Sequence, residues 1–98
     1  MFVRITKSYR DIVAICDSDL LGKKFEEGQF QLDVKEGFYK GEETDAEGVS
    51  EIIFKMAHED ATFNIVGKKS IEIATKVGII TKKGIRRIQG IPFAMVLA

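Results

Sequence analysis

The chain reads as an α+β fold: a two-layer sandwich of a mainly antiparallel sheet with about two main helices packed on one face. Three observations predict it. Short apolar runs suited to strands stand near both ends of the chain, and two stretches of helical periodicity lie between them. Strands and helices do not alternate strictly, which disfavours a doubly wound parallel sheet. With 98 residues, 45% hydrophobic and 31% charged, residues 1–98 are expected to form a single domain whose core needs no covalent staple.

Val3 and Ile5 alternate with Arg4 and Thr6, the period of a half-buried strand. Ser8 to Asp11 has the length of a hairpin connection, and Ile12–Cys16 is solidly apolar, which predicts a more deeply buried strand. Asp17 and Asp19 flank a short helical turn through Leu20 and Leu21, which Gly22 ends. Phe30, Leu32 and Val34 alternate with Gln31, Asp33 and Lys35, a third strand with one wet face. Glu36 to Glu43 is expected to be a loop, punctuated by Gly37 and Gly41.

Thr44 and Glu47 have the spacing of a capping box, followed by a helix that buries Val49, Ile52, Ile53, Met56 and Ala57. Residues 62–66 fit either a strand or the entry to a helix; periodicity does not separate the two. A second helix runs from about Gly67 to Val77 and buries Ile71, Ala74 and Val77, with Gly78 as a left-handed cap and Ile79 as its apolar contact. Residues 81–87 are expected to form a basic loop. Ile91–Leu97 is a final apolar strand, with Pro92 near its start, where a missing N–H does least harm.

Composition bounds the compartment. Cys16 is the one cysteine, so no internal disulfide can form, which points to a reducing environment. The N-terminus lacks the apolar run of a signal peptide, and the longest uncharged stretch, Ile88 to Ala98, falls short of the ~20 apolar residues that span a bilayer. A cytosolic protein with no membrane partner is expected. Abundant Ile, Lys and Glu with a single asparagine, Asn64, resemble thermophile composition.

The formal net charge of zero hides a segregation. Residues 1–60 carry 14 acidic and 8 basic side chains, whereas residues 61–98 carry 1 and 7. The basic ones are Lys68, Lys69, Lys76, Lys82, Lys83, Arg86 and Arg87. Such asymmetry fits a nucleic-acid surface, or an electrostatic match between the two halves of one fold or between subunits. No aromatic residue is interleaved with Lys82–Arg87, so base stacking is not evident there.

The remaining chemistry is sparse. Asp17 beside Cys16 opposes the lowered pKa that a reactive thiol needs, so Cys16 reads as a packing residue. One cysteine and one histidine, His58, do not make a zinc site, and their separation gives a Cys–His dyad no support. No catalytic residue, metal or cofactor is assigned. Gly67-Lys68-Lys69-Ser70 resembles the end of a phosphate loop, but the position five before Gly67 is Thr62 rather than glycine. What survives is an anion site at Gly67, Lys68 and Lys69, where free N–H groups at a helix start would hold one phosphate or carboxylate.

The stretch Cys16-Asp17-Ser18-Asp19-Leu20-Leu21-Gly22-Lys23-Lys24-Phe25, with Glu27-Gly28, Leu32-Asp33-Val34, Phe38-Tyr39 and Gly41-Glu42, resembles the archaeal group catalogued as domain of unknown function 424. Ala61 to Gly67 and the ending Gly90 to Ala94 are similar to its second half. The resemblance singles out Cys16, Asp17 and Asn64 as motif residues without a known role. It implies a small α+β domain from an archaeal cytosol, with no established activity and a loose link to RNA or translation. The family pattern often places a histidine after the proline and a polar residue two positions later; this chain has Phe93 and Met95 there, which weakens any catalytic role shared through that histidine.

The expected function is therefore a non-catalytic binding module associated with RNA or a ribonucleoprotein. The alternatives are a protein-interaction or homodimeric assembly domain and, last, a small-anion-binding protein or enzyme using Cys16, Asp17 and Asn64. The RNA expectation depends on Lys82–Arg87 sharing a face with Lys68 and Lys69.

Overall fold

A computed structural model describes residues 1–97; Ala98 lies outside the described residues. The apolar run Ile12–Cys16 forms β2, inside a six-stranded sheet of order β5-β1-β2-β6-β8-β7. On one side β1 (Phe2–Thr6) pairs antiparallel with it, Val3 opposite Ile15. On the other, β6 (Thr62–Val66) pairs parallel, Ala14 beside Asn64, so the undecided segment 62–66 is a strand. β8 (Ile91–Leu97) runs antiparallel to β6. The edges are short: β5 (Glu42–Glu43) beside β1 and β7 (Arg86–Ile88) beside β8. One parallel pair among antiparallel ones leaves the sheet mainly antiparallel, as expected.

Alternate residues of β2 feed two cores, which is why the run has no polar period. Val13 and Ile15, with Phe63 and Ile65 of β6, pack under two helices: α2 (Ala46–His58) through Val49, Ile53 and Met56, and α3 (Lys68–Val77) through Ile71 and Ala74. Phe63 is fully buried there, and truncating such a residue to alanine costs roughly 3–5 kcal/mol. The face opposite the helices is also partly covered. Ala14, Cys16, Val66 and Ile88 meet Leu20, Leu32, Val34 and Tyr39. These come from a hairpin of β3 (Lys24–Glu27) and β4 (Phe30–Asp33) and from the single turn α1 (Glu36–Tyr39).

Several local expectations are corrected. β4 does not join the main sheet but pairs with β3, which charge had hidden, and Phe30 at the hairpin turn is 64% exposed. Residues 36–43 hold α1 and β5 rather than a loop alone. The basic segment 81–87 is a 3-10 turn (Lys82–Gly84) leading into β7. The cap of α2 sits one residue further along. Asp45 accepts from the Gly48 N–H at 2.9 Å, while the Thr44 hydroxyl donates to the Glu42 carbonyl. The end of α3 matches expectation: Gly78 is left-handed (φ 95°), its N–H donates to the Thr75 carbonyl, and the Ile79 N–H donates to that of Ala74. No helix among the described residues is long and apolar enough to cross a membrane.

Candidate functional site

The helix start proposed to hold an anion already holds one. Asp17, at the end of β2, is buried and points at the first turn of α3. Its Oδ2 accepts from the Lys69 N–H at 3.0 Å, and its Oδ1 accepts from the Ser70 N–H at 2.9 Å and the Ser70 hydroxyl at 2.7 Å. These are among the N–H groups that a helix leaves unpaired at its start. Asp17 and Asp19 line the adjoining cleft with Lys68 and Lys69. The expectation of a vacant anion site at Gly67, Lys68 and Lys69 therefore gives way to an internal cap.

The ion pairs Lys7–Asp11, Lys24–Glu26, Lys35–Asp33 and Lys76–Glu72 are local, each within one half of the chain. Of the seven C-terminal cations only Lys76 has a carboxylate partner among the described residues, Glu72 one turn away on the same helix. Nor do the seven form one surface, so the shared basic face on which the RNA expectation rested is not present. Lys68, Lys69 and Lys76 belong to α3, in the helix layer. In β7, Arg86 stands opposite Phe93 and Arg87 opposite Pro92, and successive strand residues point to opposite faces of a sheet.

Two of the cations do share a site, on the face away from the helices. A groove of about 540 Å³ lies where the hairpin and α1 leave the sheet uncovered. Leu32 and Tyr39 form one wall, Asn64, Phe93 and Met95 of β6 and β8 the floor, and Lys83 with Arg86 the rim. No carboxylate lines it. Asn64 is half-buried in the second of the two central strands, between Ala14 and Met95, and its amide has no hydrogen-bond partner among the described residues. The Tyr39 hydroxyl has none either. No side-chain N or O among the described residues is both sealed from solvent and unpartnered, so both polar ends reach solvent. Burial, and secondarily the nearby Cys16, pushes Tyr39 up to about 12, so its hydroxyl keeps its proton and can donate.

A second groove, about 460 Å³, adjoins the first and shares Arg86 and Phe93 with it. Phe30, Gln31 and Arg87 complete its lining, together with Glu27 and Ile88. Aromatic rings absent from the basic stretch in sequence are thus brought beside it in space.

The other residues of chemical interest lie apart. Cys16 is fully buried in the core below the hairpin, and burial first, then Asp17, pushes its thiol up to about 11. His58 is exposed at the end of α2 in the opposite layer, its Nδ1 2.8 Å from the Phe54 carbonyl. No group of three or more His, Cys, Asp or Glu among the described residues is placed to hold a metal ion.

The amino-acid sequence matches a family described as protein of unknown function (DUF424) over residues 5–98. The chain belongs to this family. No curated protein matches it. The fold is similar to the crystal structure of an uncharacterized conserved protein from the archaeon Methanopyrus kandleri, with a TM-score of 0.82 and 20% identity, covering 98% of this chain and 90% of that one. At that identity the likeness is one of fold. Phe93 and Met95 both line the groove.

Proposed function

We propose that this domain is a non-catalytic binding module of the cytosol that associates with RNA or a ribonucleoprotein, and that the groove between hairpin and sheet is where it meets RNA. One observation carries the reading. Among the described residues, Lys83 and Arg86 stand unpaired at a groove that offers hydrogen-bond donors and apolar rings but no carboxylate. Cations without protein partners are free to meet phosphates, which dominate nucleic-acid affinity. The non-catalytic part rests on a thiol held protonated in the core and a histidine in the other layer. The test is fluorescence anisotropy of a labelled RNA between about 50 and 200 mM salt. Affinity should fall linearly on logarithmic axes, and Lys83→Ala and Arg86→Ala should each flatten the slope by about 1. A slope unchanged in the double variant would overturn the reading.

A second reading, homodimeric assembly, also has one observation in its favour. β8 runs beyond its partner β7, so among the described residues no strand lies beside the outer edge of Ala94–Leu97, and Met95 and Leu97 are 72% and 73% exposed. Exposed edges of this kind are templates for pairing with another chain. Light scattering after gel filtration decides it: a salt-independent dimer supports assembly, and a monomer at every salt concentration removes it.

A further inference from the structure

Resting on the RNA reading, we infer that the groove takes one unpaired nucleotide of a single strand, its base against Phe93 with its polar edge at Asn64 and its phosphate at Arg86. The argument begins with Asn64. Asparagine is depleted in strands, and this one lies in the second of the two central strands of the sheet with no group among the described residues to bond. Its register neighbours on that face are Ala14 and Met95. The first is too small to cover the amide and the second too apolar to satisfy it. An amide offers both donor and acceptor, the pair needed to read the edge of a base.

The rest of the groove fits the rest of a nucleotide. Phe93 supplies a half-buried ring beside the amide, and Tyr39 a hydroxyl that stays protonated. Lys83 and Arg86 stand on the open side, where a phosphate can remain in water. A volume of about 540 Å³ lies within the range that encloses a small organic group. In a duplex the bases are stacked inside the helix, and none can enter a concave site without being taken out of it. The second groove extends the path: Arg86 and Phe93 also face it, and the exposed ring of Phe30 stands there for a neighbouring base. A cationic groove that also offers aromatic rings is the arrangement that holds a single strand without reading a duplex.

The experiment compares a labelled single-stranded oligoribonucleotide, the same sequence as a duplex, and a free nucleoside monophosphate. Each is titrated with the full chain and with Asn64→Val, Phe93→Leu and Arg86→Ala variants. The single strand is expected to bind at least about tenfold tighter than the duplex, and Phe93→Leu and Asn64→Val should each weaken it by about five- to tenfold. Valine suits a strand, so Asn64→Val should hold or raise the urea midpoint, which separates lost recognition from lost folding. Equal binding of duplex and single strand, still dependent on Lys83 and Arg86, overturns this inference and leaves the RNA reading standing. Monophosphate binding as tight as the oligonucleotide overturns it in favour of a small-molecule site. No binding of either RNA overturns both readings.

Discussion

Asp17 bonds Ser70 twice across 53 positions of sequence: one carboxylate oxygen accepts from the Ser70 N–H at 2.9 Å and from its hydroxyl at 2.7 Å. The sheet thereby caps the helix that packs on it, and the local sequence around Lys68 shows nothing of this. Ser70 is fully buried, so removing the carboxylate strands a hydroxyl as well as two helix-start N–H groups. Asp17→Ala is expected to cost about 2–4 kcal/mol, between a lost cap and a buried unsatisfied donor set. Asp17→Asn, which keeps one acceptor, should cost about half as much. Urea unfolding measures both; an unchanged midpoint for Asp17→Ala would refute the cap.

Gly67 is bound to the same feature. Its φ of +110° is rarely adopted by residues with a side chain, and a Cβ there would stand 2.3 Å from the Asp17 carboxyl carbon. Gly67→Ala must therefore displace the carboxylate as well as strain the backbone. Its cost in the wild type should exceed its cost in an Asp17→Ala background by about 1 kcal/mol or more, the coupling expected of residues in contact. Additive unfolding free energies across the four proteins of that cycle would show that the two positions act independently.

What was legible in the sequence follows from where each signal is local. The uninterrupted apolar run Ile12–Cys16, the helical faces of Val49–Ala57 and Ile71–Val77 and the Gly78-Ile79 stop are each written within a few residues, and each stands in the structure. β3 and β7 were hidden because strands off the main core, or at its edge, are kept in register by their partners and tolerate charge. Lys24–Glu27 holds one apolar residue, Phe25, and Arg86–Ile88 one, Ile88. The capping box misplaced the start of α2 because Thr44 and Asp45 are both good cap residues. The groove has almost no local signature. Leu32, Tyr39, Asn64, Lys83, Arg86 and Phe93 meet only through strand pairing and the folded-over hairpin. The one trace of it was Asn64, polar in the middle of Thr62–Val66.

Burial of Cys16 sets an alkaline limit on the fold. The unfolded thiol gives up its proton near 9.0, while the folded one holds it to about 11. In that interval the unfolded state binds fewer protons, so stability is complete below about pH 9 and falls as pH rises through 11. At about 1.4 kcal/mol per unit the loss is roughly 3 kcal/mol. Tyr39, raised from 10.0 to about 12, carries the decline further. Urea midpoints measured from neutral to alkaline pH should fall accordingly, and Cys16→Ala should flatten the part between 9 and 11. Iodoacetamide should modify native Cys16 far more slowly than the denatured chain; equal rates would contradict the buried, protonated thiol.

The seven cations of residues 61–98 should divide by face rather than act as one patch. Lys68 and Lys69 stand beside Asp17 and Asp19 at the start of α3, Lys76 pairs with Glu72, and these three belong to the layer opposite the groove. Lys83 and Arg86 stand at the groove with no carboxylate among its lining. Charge reversal tests the division without truncating a core residue, since Lys68, Lys69, Lys83 and Arg86 are all exposed. Lys83→Glu with Arg86→Glu should abolish measurable RNA binding, because two attractive phosphate contacts become repulsive. Lys68→Glu with Lys69→Glu changes the net charge by the same amount and should weaken binding only through the long-range field, which near-physiological salt screens within about 8 Å. Equal losses from the two pairs would mean that net charge rather than the groove sets affinity, and would remove the groove from the RNA reading.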